Sequence, residues 1–357
     1  MTVVMAAGGT GGHLIPAIVV ADEISNLEPE AKIIFLGTGK ELEKKILSST
    51  PYQYEALKSL PFIGQEKKGI INFFIQFIPS VVQARKFLRS CSARVVVGFG
   101  GYPSVIPVIA AYTLGIPRII VEQNGQAGNA NKVLSKVASH VFAVPGAKGL
   151  GSRVHRISNP VKKAILSIEP WKFPAETEPL RILVLGGSQG AVRVNSAVIS
   201  ILDLAKKYPL KITHQTGEKD FPRVQSAYQN AAVEAEIFPY IEDMMSAYER
   251  AHLIICRAGA TSVAEIIACK RPAIFIPLAI SHGHQFYNIK ELVAYKAAIH
   301  IAQNENLDDE LRGTMEQILS DRYILQSMVN SYSEYFSVYP VHDSAHNISN
   351  LVLEILK

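Results

Sequence analysis

The chain opens each of its halves in the same way. Residues 3–13 read VVMAAGGTGGH and residues 182–192 read ILVLGGSQGAV. Each is a short apolar strand, a glycine turn and a helix-like stretch, and Gly8, Gly9, Thr10 and Gly12 align with Gly186, Gly187, Ser188 and Gly190 at one constant offset. A strand that feeds a helix through a tight turn opens a βαβ unit, whose strands must run parallel. Strand and helix patterns alternate after both openings. The first half continues with KIIFLG (32–37), RVVVGFG (94–100), RIIVEQN (118–124) and HVFAV (140–144). The second continues with LKITHQ (210–215), AEIFPY (235–240), AHLIICR (251–257), RPAIFIP (271–277) and AAIHIA (297–302). The expected fold class is therefore α/β, with two Rossmann-type domains of parallel sheet. The 357 residues suit two domains at roughly 100–200 residues each. Expected boundaries are 1–162 and 163–339. The helical segment 340–357 is a candidate to pack back on the first domain, although pattern alone leaves its packing open. The Pro- and Glu-rich stretch Ile168 to Pro179 is the best linker candidate.

Composition removes several classes. Hydrophobic residues make up 48% and charged residues 19%, enough to bury a core. Cys91, Cys256 and Cys269 are far apart and form no CxxC pair, which supports neither a disulfide scaffold nor a cysteine zinc site and suits a reducing cytoplasm. No Lys or Arg precedes Asp22, and glycines interrupt the first apolar run, so no secretory signal is expected. Val95 to Pro117 carries no charge over a length that could span a bilayer. Its glycines and prolines favour a buried strand, a glycine turn and a buried helix instead.

Charge is concentrated. The formal net charge is +5, and the segment Lys58 to Arg94 holds seven basic residues against Glu66 alone, so the rest of the chain is slightly acidic. A local basic face points to one anionic partner surface. Inside it lies the uncharged run GIINFFIQFIPSVVQA, where Ile70, Phe73, Phe74, Phe77 and Ile78 follow helical spacing between Lys67, Lys68 and Arg85, Lys86. An apolar stripe with basic flanks suits docking on an anionic bilayer; the alternative is a core helix with a solvated edge. No nucleic-acid motif occurs, so nucleic acid is not an expected partner.

Neither glycine turn is a dinucleotide fingerprint. Leu14 and Ser188 stand where GxGxxG needs glycine, and no P-loop occurs. Glycine turns entering helices still suit anions, because the first helical N–H groups lack internal partners. A third such turn, CRAGATSVAE (256–265), follows the apolar residues LII and would place Ala260, Thr261 and Ser262 at a helix start suited to a diphosphate. Glu265, about one turn further in, is placed to accept from ribose hydroxyls; Ser262 to Glu265 also spells a capping box. His13 follows the first turn at a helix start, where the positive helix end favours neutral imidazole. Facing a cleft it would be a general base; otherwise it caps or packs. No DxD occurs, and His282 and His284 lack a partner at zinc spacing, so no metal site is expected.

Together GGTGGH (8–13), GFGGYPS (98–104), EQNGQAGNANK (122–132), SNPVK (158–162), GGSQGA (186–191), IEDM (241–244), CRAGATSVAE (256–265) and GHQFYN (283–288) closely resemble, in order, the motifs of the MurG family of peptidoglycan glycosyltransferases. The resemblance runs from Met5 to Asn288. It implies a GT-B fold, two Rossmann domains facing across a cleft. The implied reaction transfers GlcNAc from UDP-GlcNAc to the C4 hydroxyl of MurNAc in lipid I, giving lipid II with inversion and with no metal or other cofactor. It also implies a peripheral enzyme on the cytoplasmic face of the plasma (inner) membrane, and its lipid acceptor strengthens the docking interpretation of residues 67–89. Carried over, Ile241 contacts uracil through its backbone, Glu265 binds ribose, and Ser188 with the helix start Ala260, Thr261, Ser262, Val263 and Ala264 holds the diphosphate. Gln285 contacts the GlcNAc hydroxyls. Thr10, Gly11, Gly12 and Asn124 face the sugar and acceptor, His13 is the leading base candidate, and Gly100, Gly101 and Tyr102 cradle the acceptor diphosphate. Two departures stand out. Lys162 replaces an arginine common after NPV, keeping charge but losing the planar fork, and His284 precedes Gln285 where some members have a second glutamine.

Three other classes compete. A UDP-GlcNAc 2-epimerase shares the architecture and donor but needs no lipid-facing stripe, and would release ManNAc. A nicotinamide dehydrogenase is disfavoured by both failed fingerprints. A noncatalytic membrane-docking protein would need no donor site.

Overall fold

The computed structural model describes residues 1–57, 67–151, 153–186, 190–231, 233–279, 284–339 and 343–357; side chains are described for all of these except residues 67–76 and 284. The chain divides into two compact units, Met1–Val161 with Val341–Lys357, and Lys162–Pro340.

Unit 1 is built on a seven-stranded parallel sheet. Its strands are β1 (Thr2–Ala6), β2 (Lys32–Gly37), β3 (Gln53–Ala56), β4 (Ala93–Gly98), β5 (Arg118–Glu122), β6 (His140–Ala143) and β7 (Val154–Arg156). Their order is β3-β2-β1-β4-β5-β6-β7. The helices are α1 (Gly11–Leu27), α2 (Glu41–Leu47), α3 (Lys67–Ser90), α4 (Val105–Thr113) and α5 (Asn129–Leu134). The central strand shows why the sheet needs cover on both faces. Every residue of β1 is buried. Val3 and Met5 join one core layer with α1, while Val4 and Ala6 join the other with α3 and α4. That is the two-residue period of a strand buried on both sides. The uncharged run from Val95 resolves as β4, a 3-10 turn at Tyr102–Ser104 and α4.

Unit 2 repeats the plan. Strands β8 (Leu180–Leu185), β9 (Leu210–Gln215), β10 (Ala235–Phe238), β11 (Leu253–Cys256), β12 (Ala273–Phe275) and β13 (Ile299–His300) are ordered β10-β9-β8-β11-β12-β13, all parallel. Ile182 and Val184 face one core layer, Leu183 and Leu185 the other. The helices are α6 (Lys163–Leu166), α7 (Val192–Ile199), α8 (Phe221–Ala231), α9 (Met244–Arg250), α10 (Ala260–Ala268), α11 (His284–Tyr287), α12 (Lys290–Ala294), α13 (Leu307–Ser320) and α14 (Tyr323–Val338). The switch in strand order beside β1 and β8 puts the first glycine turn, and Gly186 after β8, at the carboxyl edge where α/β sheets bind ligands.

After unit 2, α15 (Ser344–Leu356) lies on α1. Ala345, Ile348, Val352 and Leu356 share a core layer with Ala17, Val20, Ala21 and Ile24. Polar ties accompany them: His346 Nδ1 lies 2.9 Å from Glu23 Oε1, and Ser158 Oγ lies 2.8 Å from Ser344 Oγ.

The stretch Ile168 to Pro179 is not a free linker. Trp171 packs against the unit 2 core and donates from its ring nitrogen to the His252 carbonyl (3.0 Å). Phe173 stacks near Tyr323, and Arg322 donates to the Ala175 and Glu178 carbonyls. Pro and Glu content suggested a spacer, but two large aromatic rings have more to gain from burial than from solvent. Residues 168–179 thus strap unit 2 rather than lead into it.

Candidate active site

In unit 1 the carboxyl ends of β1, β4 and β5 converge. Thr10 is the N-cap of α1 in extended conformation and its hydroxyl makes no capping bond. Thr10 and Gly12 are exposed, Gly11 is half-buried, and a Cβ added at Gly11 would meet nothing within 4 Å. The first turn of α1 is therefore open, with N–H groups aimed outward and no acidic side chain beside them. The turn before it is anchored by a residue that the sequence reading missed. Glu43 of α2 is fully buried. It accepts from Gly9 N (2.7 Å), Thr38 N (2.7 Å), Thr38 Oγ1 (2.6 Å), Gly39 N (3.1 Å) and the Tyr54 hydroxyl (2.6 Å). A Cβ at Gly8 would stand 2.5 Å from Glu43 Oε1, so glycine is required there by contact. Burial alone would raise the Glu43 pKa; these hydrogen bonds outweigh it and hold it below the ordinary value. No motif marks Glu43, because its partners come together only when the ends of β1, β2 and β3 do.

His13, in the first turn of α1, is half-buried. Its Nδ1 lies 3.3 Å from Gln123 Oε1, and Gln123 Nε2 donates to the Phe99 carbonyl (2.9 Å). Burial lowers the His13 pKa, with the Gln123 hydrogen bond and the Glu122 charge pulling the other way. The downward direction expected from the helix start is found, with burial as its main cause. Gly100 and Gly101 run past the ring at φ +85° and +66°. A Cβ at Gly101 would lie 3.2 Å from His13 Nε2. Tyr102 begins the 3-10 turn, with Lys40 Nζ 5.8 Å from its ring centre. Asn124 does not simply face outward: its Nδ2 and its backbone N both donate to Glu122 Oε1 (3.1 and 2.9 Å). Glu122 also accepts from Gly128 N (3.0 Å) and Asn131 Nδ2 (2.9 Å), which fixes the loop after β5.

In unit 2, α10 starts directly after Gly259, with no side-chain cap and no acidic residue in its first turn. Ala260, Thr261 and Ser262 form that turn and are half-buried; Val263 and Ala264 are buried in the core, so their side chains turn away from the open end. Because the helix begins at Ala260, Ser262 is inside it and the capping box with Glu265 does not form. Glu265 instead accepts from the buried Tyr248 hydroxyl at 2.8 Å. Burial raises its pKa, offset in part by that hydrogen bond and by the charge of Lys162. Lys162 is exposed at the start of α6. The Ile241 N–H is already engaged by Gln215 Oε1 (2.9 Å), leaving any ligand contact by this backbone to its other groups. Gln285 Oε1 accepts from Leu278 N (2.9 Å), and Asn288 Nδ2 donates to the Ala258 carbonyl (2.9 Å), tying α11 to the α10 start. Ser188 lies outside the described residues, and so does the His284 side chain.

The stripe on α3 divides. Phe77 is partly buried against the unit 1 core with Val81, Ala84 and Leu88, whereas Ile78 (70% exposed) and Val82 (46%) face out, followed by Lys86 and Arg89. Helical geometry forces this: residues 77, 81, 84 and 88 share one side, and 78, 82, 86 and 89 the other. Phe77 is thus a core residue by position. Arg85 donates to the Thr113 carbonyl (3.2 Å). The side chains of Lys67, Lys68, Ile70, Phe73 and Phe74 lie outside the described residues. Among the described residues no helix is long and apolar enough to cross a membrane, and no three His, Cys, Asp or Glu side chains are grouped as metal ligands would be.

Residues 3–143 match the glycosyltransferase family 28 N-terminal domain and residues 181–337 its C-terminal domain. A protein of Geobacter sp. (strain M21) is 37% identical over 321 residues, covering 87% of this chain and 85% of its own length. One of Syntrophus aciditrophicus (strain SB) is 35% identical over 350 residues, covering 96% of both. Each is named UDP-N-acetylglucosamine–N-acetylmuramyl-(pentapeptide) pyrophosphoryl-undecaprenol N-acetylglucosamine transferase. The crystal structure of Acinetobacter baumannii MurG superposes with a TM-score of 0.80 at 29% identity, covering 99% of each chain. The two parallel-sheet units are those of a GT-B glycosyltransferase, and the chain belongs to glycosyltransferase family 28 and, within it, to the MurG family.

Proposed function

We propose that this protein transfers GlcNAc from UDP-GlcNAc to the C4 hydroxyl of MurNAc in lipid I, forming lipid II in peptidoglycan synthesis. The observation that carries this is likeness along the whole chain, 35% identity over 96% of both sequences, to a transferase of that name.

The geometry supports a division of labour. Unit 2 binds the donor. The open first turn of α10 offers unpaired N–H groups and the positive helix end to the diphosphate, stabilising UDP as it leaves. Glu265 accepts from the ribose hydroxyls while Tyr248 holds its carboxylate in place. Ile241 borders the uracil, Lys162 adds positive charge near Glu265, and Gln285 contacts the sugar. Unit 1 activates the acceptor. His13 Nε2 takes the proton of the attacking hydroxyl, oxygen bonds to C1, and the C1–O bond to UDP breaks with inversion. The first turn of α1, with Thr10, Gly11 and Gly12, and the Gly100–Tyr102 turn supply polar groups around the acceptor.

The exposed side of α3 docks on an anionic membrane surface at the cytoplasmic face of the plasma membrane. Ile78 and Val82 insert, and Lys86 and Arg89 meet headgroups. Replacing Ile78 and Val82 with Ser should lower binding to vesicles containing anionic lipid several-fold, with no change in thermal midpoint. Unchanged vesicle binding would remove this face from the membrane contact.

The deciding experiment incubates the purified protein with UDP-GlcNAc and a short-chain lipid I analogue in EDTA. Equal amounts of UDP and disaccharide lipid are expected. Donor binding without product would overturn the transferase assignment, and release of ManNAc would replace it with epimerase chemistry.

A further inference from the structure

A neutral imidazole can act as a base only through the nitrogen that lacks a proton, so the service of His13 depends on which nitrogen carries it. The hydrogen bonds around the ring decide this. Gln123 is 3% exposed and sits directly after β5. Its Nε2 lies 2.9 Å from the Phe99 carbonyl, which can only accept, so the amide nitrogen must face Phe99. Its Oε1 then faces His13 Nδ1 at 3.3 Å. An amide oxygen also can only accept, so Nδ1 must hold the hydrogen and Nε2 the lone pair.

We propose that Gln123 is the positioning residue that sets the tautomer of His13, keeping the proton on Nδ1 and presenting Nε2 as the base. The proposal rests on the role given above to His13 and adds a residue to that machinery. Two further features fit it. The loop carrying Gln123 is immobilised by its neighbour Glu122, which accepts hydrogen bonds from Asn124, Gly128 and Asn131. On the opposite side of the ring, Gly101 leaves space at Nε2 that a Cβ would enter at 3.2 Å. The partner is also neutral. A carboxylate in the same place would hold the same tautomer but would favour imidazolium, and its second oxygen would confront the Phe99 carbonyl. An amide therefore orients the ring without charging it.

The test reads the ring directly. Protein labelled with 15N-histidine gives long-range proton–nitrogen correlations, and His13 is assigned by the signal missing from His13→Asn. Wild-type enzyme should show a protonated Nδ1 at neutral pH, and Gln123→Met should shift His13 toward protonated Nε2. Its kcat should fall at least tenfold, and by no more than the roughly 10²–10⁴-fold of a lost base, with donor KM unchanged. Gln123→Glu should keep the Nδ1 proton and raise the pKa of His13 in an NMR titration. A wild-type ring protonated on Nε2, or an unmoved tautomer in a folded Gln123→Met protein, would overturn the proposal. Turnover by His13→Ala addresses the separate question. If it persists, His13 is not the base, and the tautomer measurement still decides what Gln123 does.

Discussion

At the residue scale, the unit 1 site depends on three residues, His13, Gly101 and Glu43, that work through backbone and ring geometry. His13→Ala should lower kcat by about 10²–10⁴-fold with donor affinity retained, measured by single-turnover kinetics and by UDP-GlcNAc titration. Because burial lowers the His13 pKa, the imidazole stays neutral to lower pH than a free histidine. The acid limb of kcat/KM should accordingly lie below about 6.5. Gly101 has φ +66° and ψ 172°, a combination essentially confined to glycine. Gly101→Ala combines backbone strain of about 1–3 kcal/mol with crowding at Nε2, so turnover should fall at least tenfold in a protein that still folds. Glu43→Gln should cost about 1.5–3 kcal/mol, since an uncharged amide puts a donor where one of two carboxylate oxygens accepts from neutral N–H and O–H groups, as read from urea midpoints. The sign with pH follows from its depressed pKa. The Glu43 contribution is complete above about 4.3 and is lost as pH falls below that value. The sequence displayed His13 and Gly101 within motifs. It did not display Glu43, because an acidic residue in ELEKKIL reads like any solvated helix charge until three strand ends surround it.

At the element scale, what was legible and what was not divides by burial. Strands buried on both faces are apolar runs, and β1, β2, β4, β5, β8, β9 and β11 stand where those runs are. The sheet edges are different. β3 is QYEA and β7 is VHR, short and largely exposed or half-exposed, so neither carries an apolar run to notice. Edge strands need no apolar outer face, and polar ones resist pairing with other chains. The α10 start carries two readings in sequence, and the helix bounds separate them. Ser262 to Glu265 has the spelling of a cap, but the glycine before Ala260 lets the helix begin three residues earlier, which leaves Glu265 to Tyr248. Glu265→Ala should therefore weaken UDP binding by about 1.5–3 kcal/mol, the worth of hydrogen bonds to a charged group, measured by calorimetry. It should also leave the Tyr248 hydroxyl buried without its partner.

At the scale of the whole molecule, unit 2 carries a buried polar centre that makes stability depend on pH. His214 lies between the Tyr228 hydroxyl (3.0 Å) and Asn195 Oδ1 (3.1 Å), and Asn195 in turn donates to Asp220 (2.7 Å) and the Thr216 carbonyl (3.0 Å). Burial, the main cause, pushes the His214 pKa down to about 3. The folded state refuses a proton that the unfolded chain accepts near 6.5, so this contribution is full above about 6.5 and falls by up to roughly 1.4 kcal/mol per pH unit toward 3. Urea midpoints between pH 7 and 4 should drop more for wild type than for His214→Gln.

The position of α15 has a consequence for the order of synthesis. Unit 2 is one continuous stretch of chain, and everything it needs has left the ribosome once its last helix has. Unit 1 is interrupted: the helix that covers Ala17, Val20, Ala21 and Ile24 is translated only after all of unit 2. Throughout that interval the first-made domain presents an apolar helix face with no cover. The domain synthesised first is thus the one completed last, and the nascent enzyme has its greatest need of a chaperone while unit 2 is already whole.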